Sequence, residues 1–119
     1  MERFEQNNVY GHFYSNSSLE KLAYLLRWRL GYSEDEVWVK KSQYDGIQKI
    51  RIDRKNVDFE STKIDKKGKY LFNGTITGTE DEICQYLENL QNIMNHADYQ
   101  SEFEVYDEKY KCIKVFSAS

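Results

Sequence analysis

The chain has 119 residues, enough for one domain with one hydrophobic core, and its net charge of −3 comes from 20 acidic against 17 basic side chains. Ten tyrosines and six phenylalanines without a single proline argue against a disordered chain, because large rings supply the burial that offsets chain entropy. The first residues carry charge where an export signal needs an apolar run, and no apolar stretch approaches the roughly 20 residues of a membrane helix, so the expectation is a soluble cytoplasmic protein with Cys84 and Cys112 as thiols.

Taken in order, residues 9–15 alternate Val9, Gly11 and Phe13 against Tyr10, His12 and Tyr14 and read as a strand. Asn16, Ser17 or Ser18 can cap a helix over 18–30, whose apolar positions are Leu19, Leu22, Ala23, Leu26 and Leu30. Gly31 suits its end, and Arg27 and Arg29 suit the negative end of its dipole. Val37 and Val39, then Ile50 and Ile52, alternate with Trp38, Lys40, Lys49 and Arg51, which predicts a hairpin about Tyr44-Asp45-Gly46. Residues 53–69 form a long connection in which Val57, Phe59 and Ser61 predict a short edge strand, and residues 63–69 a solvated turn.

Residues 70–78 form the next strand and lead into the strongest signal in the chain, a helix over 79–97. Thr79 can cap it, Glu80, Asp81 and Glu82 load its first turn, and Ile83, Leu87, Leu90, Met94 and Ala97 form one apolar stripe. Phe103 and Val105, then Ile113 and Val115, predict a last hairpin closed near Glu108-Lys109, with Glu102, Glu104 and Lys114 on its other face.

The order strand, helix, strand, strand thus occurs twice, over residues 9–52 and 70–116, and predicts one α+β domain over residues 1–119. Its expected form is a two-layer sandwich, a mainly antiparallel sheet with two helices on one face. This pattern resembles the tandem strand-helix-strand-strand modules of gyrase-inhibitory-protein-like and multidrug-sensor domains. The likeness is one of element order and brings over no site residue.

No catalytic signature stands out. Cys84 and Cys112 are far apart in sequence, His12 and His96 share no turn, and His96 lies roughly 18 Å along the helix from Cys84. No phosphate-cradling glycine motif comes after a strand, so neither metal nor cofactor is expected. Arg51, Arg54, Lys55, Lys63, Lys66, Lys67 and Lys69 are the basic candidates for nucleic acid, but Asp53, Asp58, Glu60 and Asp65 interrupt them, so nucleic acid is not the expected partner.

Charge is segregated instead. Residues 1–50 hold seven acids and seven bases, residues 51–78 four and seven, and residues 79–119 nine and three. The acidic third would attract a basic protein and speed its association. Its candidate partner-binding residues are Glu80, Asp81, Glu82, Glu88, Glu102, Glu104, Asp107 and Tyr106, tyrosine being enriched at interfaces. Small size, an acidic aromatic surface and no catalytic signature resemble the acidic immunity proteins of bacterial polymorphic toxin systems. That resemblance implies a non-enzymatic inhibitor of a basic toxin domain, often a nuclease. The alternative is a small-molecule sensor with an aromatic groove lined by Tyr10, Tyr14, Trp28, Trp38 and Tyr44. The sequence leaves the oligomeric state open.

Overall fold

In a computed structural model, which describes residues 7–64 and 67–117, the two amphipathic stretches are helices α1 (Leu19–Leu30) and α2 (Glu80–His96). Each starts where a side-chain oxygen can replace a missing backbone acceptor. At α1 the Ser18 hydroxyl accepts from the Glu20 N–H at 3.2 Å. At α2 the capping is reciprocal: the Glu82 N–H donates to Thr79 Oγ1 at 3.2 Å, and the Thr79 N–H donates to Glu82 Oε1 at 2.9 Å. Gly31, at φ 72°, ends α1 with its N–H on the Arg27 carbonyl. The Arg27 Nε–H donates to the Val37 carbonyl at 2.8 Å and pins that end to the sheet.

The strands are β1 (Val9–Tyr14), β2 (Val37–Lys41), β3 (Gln48–Arg54), β4 (Val57–Lys63), β5 (Lys69–Ile76), β6 (Ser101–Tyr106) and β7 (Cys112–Phe116). They form one sheet in the order β2-β3-β4-β5-β1-β6-β7, antiparallel at every step. Both helices lie on one face, α1 against β2 and β3, α2 against β6 and β7. The architecture is the α+β sandwich expected from the pattern.

Four expectations are corrected. The strand–helix–strand–strand order occurs twice, but the halves are not two modules side by side, because β1 inserts between β5 and β6. Residues 57–62 are not an edge: β4 pairs with both β3 and β5, and the edges are β2 and β7. Ile113 packs against the core as expected, but Val115 does not share that face. A bulge between Val105 and Tyr106 shifts the pairing, so that Phe116 lies opposite Phe103 and is buried while Val115 lies opposite Glu104 and is 53% exposed. Ala97, expected in the apolar stripe of α2, is its exposed C-cap residue.

Burial on one face of the sheet follows the period of two. Phe13, Phe59, Phe72 and Phe103 are fully buried, each contributing about 1.5–3 kcal/mol by leaving water. Their rings touch in sequence, with centroids 5.4 Å apart for Phe13 and Phe72 and 5.2 Å for Phe59 and Phe72. Two glycines make room for them. Gly11 lies opposite Phe103 and Gly74 opposite Phe59, and a Cβ at either position would run into the facing ring. Leu22 and Leu26 from α1 and Leu87, Leu90 and Met94 from α2 close the core from above.

Candidate functional site

Helical geometry sets the outward ridge of α2. With Ile83, Leu87, Leu90 and Met94 buried, the side directly opposite carries Asp81, Gln85, Glu88 and Asn92, all exposed, with Glu80 and Glu82 flanking it at the first turn. Glu82 is engaged in the cap, and the Thr79 backbone N–H holds its carboxyl below the usual range. Glu80, Asp81 and Glu88 make no ion pair among the described residues, whereas Asp58, Glu60 and Glu102 on the sheet do. Cys84, beside this ridge, has its thiol pushed up by burial, with Lys114 of β7 opposing and Glu80 and Asp81 adding to the shift.

The remaining acidic candidates are elsewhere. In β6, Ser101, Phe103 and Val105 point into the core, so Glu102, Glu104 and Tyr106 stand on the opposite, uncovered face of the sheet. The helix acids and the strand acids are therefore on opposite sides of the domain and do not form one surface. Asp107 builds the turn after β6: its Oδ1 accepts from the Lys109 N–H at 2.8 Å and the Lys111 N–H at 3.0 Å. Those backbone donors hold its carboxyl below the usual range. Lys114, expected beside Glu102 and Glu104, is instead on the helix side, because the bulge reverses the phase of β7.

The uncovered face is a lattice of cross-strand pairs. Arg51 reaches Asp58 at 3.0 Å and Glu60 at 3.3 Å and lies 6.0 Å from the centre of the Trp38 ring. His12 Nε2 is 3.8 Å from Glu102, and its ring meets Tyr14 edge-on at 5.8 Å. Tyr10 and Tyr106 meet edge-on at 5.5 Å.

The five aromatics of the sensor reading do not converge. Tyr10, Tyr14 and Trp38 are on the uncovered face, Trp28 is 72% exposed on the outside of α1, and Tyr44 is fully exposed at the β2–β3 hairpin. Hollows among the described residues include three that bear on this reading. One of about 470 Å³ lies by the β3–β4 turn between Glu36, Arg54, Asn56 and Asp58. A second, of about 420 Å³, lies beside Lys40, Lys41, Lys49 and Lys63. A third, of about 280 Å³, lies between Arg51, Glu60 and Asn73. None of these three is lined by a residue of either helix. The basic candidates are dispersed as well: Arg51 is held by its acids, Arg54 lies over Tyr32 with its guanidinium 4.5 Å from the ring centre, Lys63 lies beside Tyr70, and Lys66 is outside the described residues.

Among the described residues no group of three or more His, Cys, Asp or Glu could hold a metal ion, and no helix is long and apolar enough to cross a membrane. Cys84 and Cys112 are both free thiols. The sequence reading missed Tyr24, which is 70% exposed one turn before Trp28. Their i, i+4 spacing, off the stripe of Leu19, Leu22 and Leu26, was the available signal.

No known protein family, curated protein or solved structure matches this chain. The functional reading therefore rests on its surfaces.

Proposed function

We propose that the chain is a non-catalytic protein-binding inhibitor, an immunity protein in character, that covers a basic domain such as a toxin nuclease with the outer surface of its helix layer. The observation that supports this reading most is the ridge of α2, where Glu80, Asp81 and Glu88 stand exposed with no cation of the chain against them among the described residues. Carboxylates left in this state raise the rate at which a basic protein arrives. On the same side of the sheet, Tyr24 and Trp28 of α1 are large rings held in water, with the Arg29 guanidinium 5.9 Å from the Trp28 ring centre. Trp, Tyr and Arg are the residues that most often anchor an interface once water is excluded.

The test begins with affinity capture from the native host and proceeds to kinetics with the captured protein. Reversing Asp81 and Glu88 to Lys lowers the association rate about tenfold and flattens its salt dependence. Truncating Trp28 to Ala raises the dissociation rate instead. A partner indifferent to salt and to all three substitutions would overturn the reading.

A further inference from the structure

Among the described residues no element covers one side of the sheet, and its pairing registers place side chains in rows that run across the strands. One row carries Lys49 on β3, Leu71 on β5, His12 on β1 and Glu102 on β6. The next carries Trp38 on β2, Arg51 on β3, Glu60 on β4, Asn73 on β5, Tyr10 on β1, Glu104 on β6 and Val115 on β7. The first row runs from cationic, with Lys40 of β2 beside Lys49, to anionic across the molecule, whereas in the second Glu60 stands next to Arg51 and Glu104 lies at the far side. β5 is the middle strand, with three strands on either side.

A two-fold axis along β5, lying in the plane of contact, sets β3 of one copy over β6 of a second and β2 over β7. Lys49 then meets Glu102 of the second copy, and Arg51, which also keeps its own Asp58 and Glu60, faces Glu104, each twice by symmetry. Trp38 meets Val115, an apolar side chain 53% exposed in the single chain. Leu71 and Asn73 fall on the axis against their own counterparts, apolar on apolar and amide on amide, and an amide carries both the donor and the acceptor for such a pair. An axis across the strands would oppose Lys49 and Arg51 to the same cations of the other copy. The charge pattern selects the first arrangement.

We infer that the uncovered sheet face is the interface of a homodimer, two sheets packed face to face with the helices outside. Seven strands about 4.8 Å apart span roughly 34 Å, and strands of this length rise roughly 17–27 Å. The face thus offers on the order of 700 Å² per copy, close to the ~800 Å² per partner of stable interfaces. Aligned packing of twisted sheets is an ordinary way to bury such faces. The dimer does not depend on the proposed inhibitor role. The ridge of α2 points away from the interface and stays free in both copies.

Sedimentation equilibrium of the full chain tests it. The unaltered chain is a dimer at micromolar concentration in low salt and dissociates as salt rises. Lys49→Glu or Glu102→Lys alone sets like charges opposite each other at two symmetry-related points and weakens the dimer about tenfold or more. The double variant Lys49→Glu/Glu102→Lys restores it. Both positions make only exposed contacts within the chain, Lys49 to Glu60 at 3.7 Å and Glu102 to His12 at 3.8 Å, so folding tolerates the changes. Leu71→Arg places two cations on the axis and yields a monomer with unchanged circular dichroism; should it unfold, the charge exchange decides. A chain that is monomeric throughout, a dimer indifferent to the single reversals, or a double variant that fails to recover overturns the inference.

Discussion

The hydroxyls of Tyr32 and Tyr86 are hydrogen-bonded at 3.0 Å, joining the chain just beyond α1 to the middle of α2. Arg54 of β3 lies over the Tyr32 ring, so this contact ties both helices to the sheet. Burial first, and then the Tyr32 hydroxyl, push the Tyr86 phenol well above its ordinary value. Tyr86→Phe should cost about 1 kcal/mol, a fall in Tm of roughly 3–6 °C. A phenol that ionises later in the folded state than in the unfolded one leaves stability intact below the unfolded pKa of about 10 and erodes it as pH rises beyond that. Denaturant titrations between neutral pH and pH ~11 should show this alkaline decline, shallower in the Phe variant.

The capping box at α2 makes a complementary prediction at acid pH. Thr79→Ala removes the acceptor for the Glu82 N–H and should cost about 1 kcal/mol. The Glu82 carboxyl, held down by the Thr79 N–H, contributes above the unfolded carboxylate pKa and loses that contribution as pH falls through its lower folded value. Glu82→Gln should therefore flatten the acid arm of a stability profile below pH about 4.3.

Gly74 tests the aromatic core. A methyl group there would sit 2.6 Å from the nearest Phe59 ring carbon, in the middle of the β4–β5 ladder. The Asp58 backbone carbonyl oxygen is closer still, so Gly74→Ala should destabilise by about 1–3 kcal/mol, read by thermal melting, and Phe59→Leu, which keeps a Cγ and leaves that carbonyl in place, should not recover the loss.

Gln91 is the polar exception on the buried side of α2. Its Nε2 donates to the Ser101 and Phe116 carbonyls, each at 2.9 Å, and so holds β6 and β7 beneath the helix. Gln91→Leu leaves both acceptors without that donor and should cost about 2–4 kcal/mol. Hydrogen exchange should show residues 101–116 losing protection before the strands on the far side of the sheet.

Both helices were legible because their signals are local: a hydroxyl at the start, an apolar residue every three or four positions, and Gly31 at the end of α1. Strand existence was equally plain from alternation. What escaped were relations between strands. Nothing near Val57–Lys63 says that β3 and β5 will lie on its two sides, because strand order is settled by distant partners. The phase of β7 turned on a single bulge at Val105/Tyr106, which exchanged Val115 for Phe116 in the core. The acidic candidates are neighbours in sequence, yet Glu88 and Glu104 lie on opposite sides of the domain. Period-two alternation in β6 implies that separation, because a buried Phe103 turns Glu104 to the other face.

The insertion of β1 between β5 and β6 has a consequence for synthesis. Val9 pairs with Gly74 on one side and Val105 on the other, so β1 must wait for roughly the next 65 residues before its first neighbour exists and roughly 95 before its second. At about 5–20 residues per second, that is an interval of several seconds in which Val9 and Phe13 are held without a ladder. Nascent chains halted before β5 should therefore be the species most readily engaged by a chaperone, and release should coincide with the emergence of α2 and β6.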